Sequence, residues 1–177
     1  KVLEHAGNSY NYIINQSRTS KIDGEFKQLN NFLNNVLISC PDSYFNTGPR
    51  SSALRFSISN LDIKKASGHE VCNQTKFGLN LNSDKFDNNH SKVQGFMLEN
   101  DEKTLAIEVP IWLLKEEFRD FKILFGSEKP LTGHIDVLKV EDDNVWIWDY
   151  KPMAHLQKYA STQTYFYAYM LSKRTGI

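Results

Sequence analysis

Only two cysteines, Cys40 and Cys72, occur in the 177 residues. They are too few for a four-cysteine zinc or iron–sulfur site. They fit a reduced intracellular protein as well as a single disulfide; we take the thiols as free and expect a cytoplasmic location. Net charge is absent too, because 21 basic residues cancel 21 acidic ones. No whole-molecule field therefore advertises a polyanion or a membrane partner, and any nucleic-acid site must be local. No apolar run approaches the roughly 18 residues needed to span a bilayer, so no membrane association is expected. The opening "KVLEHAGNSYN" lacks the charged and apolar regions of a signal peptide. A start at Lys1 and a stop at Ile177 fit a fragment of a longer protein.

With 40% hydrophobic and 24% charged residues, the composition is that of a globular protein and excludes disordered and fibrous classes. The length suits one domain, burying roughly 70% of its unfolded surface. We divide this single domain, 1–177, into a partly helical N-terminal region, 1–83, and a core, 84–177.

Phe26, Leu29, Phe32, Leu33, Val36 and Leu37 recur at helical spacing and predict an amphipathic helix over 25–39, ended by Pro41. Residues 51–83 show no firm periodicity. Asn80–Ser91 is rich in Asn, Ser and Asp and reads as a surface loop. "HSKVQGFML" after it suits a short helix with His90 and Gln94 one turn apart, although Gly95 interrupts it. "TLAIEVPIW" alternates as a strand, with Leu105, Ile107, Val109 and Ile111 opposite Ala106, Glu108 and Trp112; Pro110 should lie near a strand end or on an edge. "LLKEEFRDF" reads as a short helix or turn. A second helix is expected over 155–174, closed by Gly176 and by Lys173 and Arg174 at its negative end.

The stretch "LTGHIDVLKVEDDNVWIWDYKP" places two acids and a lysine in segments that read as strands. Pairing Val140 with Val145 across a turn at Asp142 and Asp143 sets Asp136 opposite Asp149 and His134 opposite Lys151. Trp146, Trp148 and Tyr150 share the other face with Ile135 and Val137, so both sides of the sheet should be covered. Two carboxylates with Cβ atoms about 4.5–5.5 Å apart repel unless a positive charge lies between them. Lys151 supplies one charge, and Mg²⁺ or Mn²⁺ would supply the rest. A solvated Asp-Asp-Lys network at a strand end is the alternative.

Gly133 with Asp136, Asp149 with Lys151, and Gln163 with Tyr167 together resemble the Gly-x-x-Asp, Asp-x-Lys and Gln-x-x-x-Tyr motifs of the PD-(D/E)XK nuclease superfamily, most closely its RecB-like exonuclease branch. The resemblance spans 104–177. It implies an α/β, restriction-endonuclease-like core of αβββαβ type: a mixed sheet flanked by helices, here without the strand that usually follows the Gln-Tyr helix. It implies that Asp136 and Asp149 hold Mg²⁺ or Mn²⁺ with the backbone carbonyl of Tyr150, that Lys151 serves the attacking water, and that Gln163 and Tyr167 order the site. Tyr159, Phe166 and Met170 share the face of Tyr167, so that ring could equally be core. Relatives carry an upstream acid or histidine; His90 is the candidate, with His69 and Glu70 as rivals. Glu108 is a further candidate ligand, and His134 is expected to line the pocket. No iron–sulfur cluster is expected. The implied activity is metal-dependent hydrolysis of DNA in repair, recombination or defence. The alternative is a non-catalytic module that binds nucleic acid or protein.

Overall fold

The structure, a computed structural model, describes residues 1–22 and 24–177. Strands β1 (Val2–His5) and β2 (Asn8–Asn11) form a separate hairpin. β3 (Ile13–Ile14) leads into the single turn α1 (Gln16–Thr19), followed by α2 (Lys27–Ser39) and α3 (Asp42–Thr47). The helical pair α4 (Glu70–Leu81) and α5 (Asn89–Asn100) precedes β4 (Thr104–Leu113) and the short α6 (Phe121–Phe125). β5 (Leu131–Glu141), β6 (Asn144–Trp148) and α7 (Ala160–Thr175) complete the fold.

The main sheet has the order β3-β4-β5-β6 and is flanked by helices, giving the expected α/β, restriction-endonuclease-like arrangement. It is more uniform than the mixed sheet expected. All four strands pair antiparallel, and parallel pairing is confined to one bridge, Arg50 to Thr132. The reason is connectivity: β4, β5 and β6 are neighbours in sequence and in space, with no crossover connection between them.

Val140 pairs with Val145, and Asp142 and Asp143 take left-handed φ values of 50° and 57°. This is the primed turn geometry that matches strand twist. The ladder runs back to Val137↔Trp148 and stops there. Asp149 to Lys151 therefore peel away from β5 rather than continuing the expected strand, and His134 faces Pro110 of β4 instead of Lys151. Leu131–Lys139 is buried throughout, as expected of a two-sided sheet, but Trp146 on the edge strand is 43% exposed. Pro110 lies inside β4, not at its end. β3 covers β4 only at Ala106 and Ile107, so one side of Pro110 has no ladder partner and the missing N–H is tolerated.

On α2, Leu29, Phe32, Leu33 and Val36 are buried and join β4, β5 and α7 in the main core. Each such side chain contributes about 1.5–3 kcal/mol on leaving water. A smaller cluster joins Val93 and Met97 of α5 to Ile107 and Val137, with Trp148 and Tyr150 packed against it.

Helix α4 has no counterpart in the periodicity. It packs through Gly78, where a Cβ would lie 3.0 Å from Cβ of Phe96 and 3.1 Å from Cα of Val93, so close backbone approach replaces an apolar stripe. Gly95 is explained the same way, by the Phe86 ring 2.7 Å from its would-be Cβ. The expected loop shrinks to residues 82–88. Helix α7 starts at Ala160 rather than at His155; residues 152–158 are exposed, and with no buried face to extend it the helical tendency there stops at a single 3₁₀ turn, Ala154–Leu156. Its C-terminus is as expected, with Gly176 at φ 75°.

Candidate active site

The site begins where the ladder ends. Two residues beyond Trp148, the last paired residue of β6, the Tyr150 N–H donates to Oδ2 of Asp136 at 2.7 Å, so a side-chain acceptor replaces the ladder bond and holds the departing strand against β5. Asp149 is fixed on both oxygens. Oδ2 accepts from Lys151 Nζ at 2.8 Å and Oδ1 from Gln163 Nε2 at 3.1 Å. The same Gln163 amide donates to the Tyr167 hydroxyl at 2.8 Å, committing both of its hydrogens.

Gln163 and Tyr167 stand one turn apart on α7, and Tyr167 is both core and site. Its ring is 3% exposed and lies so close to β5 that a Cβ on Gly133 would be 2.3 Å from its Cε1. Only glycine at position 133 lets the helix deliver that hydroxyl. Burial, and secondarily the Asp149 charge, hold the Tyr167 hydroxyl above the ordinary phenol range, so it remains protonated.

From the other side, α5 presents His90 and Gln94. Gln94 Nε2 donates to Oε1 of Glu108 at 2.7 Å, which brings β4 into the site. Glu108 occupies a left-handed backbone (φ 50°) inside a strand, a conformation costing a non-glycine residue on the order of 1 kcal/mol, and the strain lies at the pocket wall. His90 packs edge-on to Tyr150, with Nε2 3.9 Å from Oδ2 of Asp136. Burial and the Lys151 charge lower its pKa. The contact is therefore a neutral ring beside a carboxyl, not an ion pair. Of the rivals, His69 caps α4 by accepting from the Val71 N–H, and Glu70 pairs with Gln74; neither lines the pocket.

Glu108, Asp136, Asp149, Lys151, His90, His134, Gln163 and Tyr167 line one cavity of about 420 Å³. Its electrostatics are those of crowded acids. Burial raises Glu108 above the usual carboxylate range. Burial raises Asp136 well above it, with the Asp149 and Glu108 charges adding to the effect. Burial also raises Asp149, against the opposing pull of Lys151. Among the described residues, Asp136 Oδ1 and Glu108 Oε2 accept no hydrogen bond, and neither is a sealed, unpaired atom, so both remain open to the cavity. Hard oxygen donors with excess negative charge suit Mg²⁺ or Mn²⁺. Asp136, Glu108 and Asp149 would hold the ion, although no three of the cavity's acidic or histidine donors yet lie within 4.8 Å of one another. Lys151 and Gln163 currently hold Asp149.

The structure also adds residues that no spacing or periodicity singled out. Tyr10 and Arg50 line the same cavity, and His5 supports it from behind. Gln94 was legible as a partner one turn from His90. Arg50 lies in an irregular loop with no periodicity.

Compared with known families, a model of the PD-(D/E)XK nuclease superfamily matches residues 70–176. No curated protein and no solved structure matches the chain.

Proposed function

We propose that this chain, which belongs to the PD-(D/E)XK nuclease superfamily, is a Mg²⁺- or Mn²⁺-dependent deoxyribonuclease of the RecB-like exonuclease type. It would act inside the cell in repair, recombination or defence. The observation that carries this reading is the convergence of Asp136, Asp149, Lys151, Glu108 and the Gln163–Tyr167 pair on one cavity.

When bound, a divalent ion supplies Lewis-acid polarisation of the phosphoryl group and makes a nearby water more acidic. The protein's part is to place and balance charge. Asp136 and Asp149 would hold the ion, with the Tyr150 carbonyl as a further ligand and His90 and Glu108 completing the set. Gln163 fixes the Asp149 carboxylate, and Tyr167 fixes Gln163. Lys151, anchored on Asp149, orients the attacking water and offsets the charge that builds on the phosphoryl oxygens. Water oxygen bonds to phosphorus, the bond from phosphorus to the 3′ oxygen breaks, and that oxygen takes a proton. The products are a 5′-phosphate and a 3′-hydroxyl.

The test is Mn²⁺-dependent cleavage of DNA by the purified chain. Asp149→Ala should abolish it; cleavage that survived this substitution would sink the proposal. A second reading, a non-catalytic module that binds DNA or protein, draws on the engagement of both Asp149 oxygens by protein donors. Calorimetry separates the two. Heat of Mn²⁺ binding that is lost in Asp136→Asn supports the nuclease. DNA affinity without any Mn²⁺ binding supports the module.

A further inference from the structure

We infer that Arg50 and Tyr10 form a phosphate-binding subsite at the rim of the cavity, taking a phosphate of the nucleic-acid strand other than the one cleaved. The inference rests on the nuclease reading and adds a part outside the matched region, since both residues precede residue 70.

The loop carrying Arg50 is stitched to the start of β5. The Thr132 N–H donates to the Pro49 carbonyl at 2.9 Å, and the Ser51 hydroxyl donates to the Thr132 carbonyl at 3.1 Å. Gly48 permits this approach, because a Cβ there would lie 1.9 Å from the Pro130 carbonyl oxygen. Arg50 is thus set on the sheet two residues along from His134.

Its guanidinium donates through Nη2 to the Tyr10 hydroxyl and faces Nδ1 of His134 at 3.5 Å. Tyr10 stacks on His134, with ring centroids 3.7 Å apart and planes within 5°. Behind them, His134 Nε2 lies 2.9 Å from His5 Nδ1, and His5 Nε2 lies 2.9 Å from Oδ1 of Asp42.

Both ends of this chain fix the proton positions. Asp42 only accepts, so His5 carries its proton on Nε2. Arg50 only donates, so His134 Nδ1 is a lone pair and the proton sits on Nε2, pointing at the free Nδ1 of His5. The relay therefore offers Arg50 only acceptors, a ring lone pair on His134 and the hydroxyl oxygen of Tyr10.

No carboxylate pairs with that charge in contact. Among the described residues, no carboxylate oxygen lies within 4.0 Å of the Arg50 guanidinium, and its charge reaches Glu108 only through space, where it opposes the rise that burial imposes on that acid. A guanidinium fixed in direction, with donors to spare and no anion in contact, matches a phosphate's paired oxygens. Asn8, Ser9 and Asn11 of the β1–β2 hairpin region and Ser52 line the same rim with further polar groups.

The test measures binding of a short single-stranded DNA oligonucleotide to the full chain in Ca²⁺, across a salt series, with 5′-phosphorylated and 5′-hydroxyl versions. Arg50→Gln is expected to weaken binding about tenfold or more and to reduce the slope of log affinity against log salt by about 0.7, the value for one phosphate contact. Arg50→Lys should restore the slope but not the full affinity, and calorimetric Mn²⁺ binding should be unchanged in both variants. A loss confined to the 5′-phosphorylated strand assigns the subsite to a terminal phosphate; an equal loss on both assigns it to an internal phosphodiester. Wild-type affinity and slope in Arg50→Gln overturn the subsite and leave the nuclease proposal standing. Failure of the wild-type chain to bind the oligonucleotide at low salt overturns both.

Discussion

Two neighbouring stretches of β5 carry buried charge in opposite ways. Near the turn, Lys139 and Asp101, with side chains 9% and 8% exposed, pair at 3.3 Å; Lys139 also reaches Glu141 at 3.1 Å, and Lys103 reaches Glu141 at 2.8 Å. Two cations meet two acids, and the Thr104 hydroxyl satisfies Asp101 further. Three residues back along the strand, Asp136 shares a cavity with Asp149 and Glu108, with Lys151 paired to Asp149 and Arg50 at the rim, and all three acids are pushed above the usual carboxylate range. A balanced cluster holds the fold. An unbalanced one carries a stability cost that a bound cation would relieve, which is why we propose it as the functional site.

Substitutions can break this contrast. Asp149→Asn should reduce Mn²⁺-dependent cleavage by about 10³-fold, the several kcal/mol that charge stabilisation at such a site is worth. Its melting temperature in chelator should hold or rise, because one repelling charge is gone. A variant that lost activity and stability together would erase the distinction between the two stretches. Lys139→Met should do the reverse. Stranding Asp101 in the interior should cost about 3 kcal/mol in urea unfolding, while KM and kcat of the remaining folded enzyme stay as they were.

Gly133→Ala lies between the two stretches in character, because its methyl would push on Tyr167. A loss of about 1–3 kcal/mol is expected, with a fall in kcat as Gln163 and Asp149 shift. Unchanged kcat would show that Tyr167 is core alone.

The smallest expected effect is on pH. In ion-free protein, the native carboxyls of Asp136 and Glu108 keep protons that the unfolded chain has already released, from the ordinary carboxylate range up to their raised values. Stability should therefore fall as pH rises through that window, by about 1 kcal/mol or more. Asp136→Asn should flatten the slope, and saturating Mn²⁺ should reverse it. A wild-type profile that already matched Asp136→Asn would show that no such crowding exists.

Much of the site was legible because its spacing is local. The turn at Asp142 and Asp143 fixes the hairpin register, which brings Asp136 and Asp149 to one cavity although they do not pair across the ladder, and a helical turn puts Gln163 beside Tyr167. His90 and Gln94 followed from the same periodicity. The register could not show that the ladder ends at Trp148, because that depends on a bond from the Tyr150 N–H to a side chain rather than to the backbone. Helix α4 escaped because glycine packing leaves no hydrophobic stripe to read.

The sequence by itself determined the hairpin, the two long helices and the acid-lysine chemistry, since each depends on residues a few positions apart. Tertiary structure alone decided that Glu108 and His90 line the cavity of Asp136, Asp149 and Lys151 and that Arg50, 84 positions before His134, stands at its rim. Those contacts form only when β4, α5 and the N-terminal hairpin bury their apolar faces, and burial, unlike spacing, is a property of the whole chain.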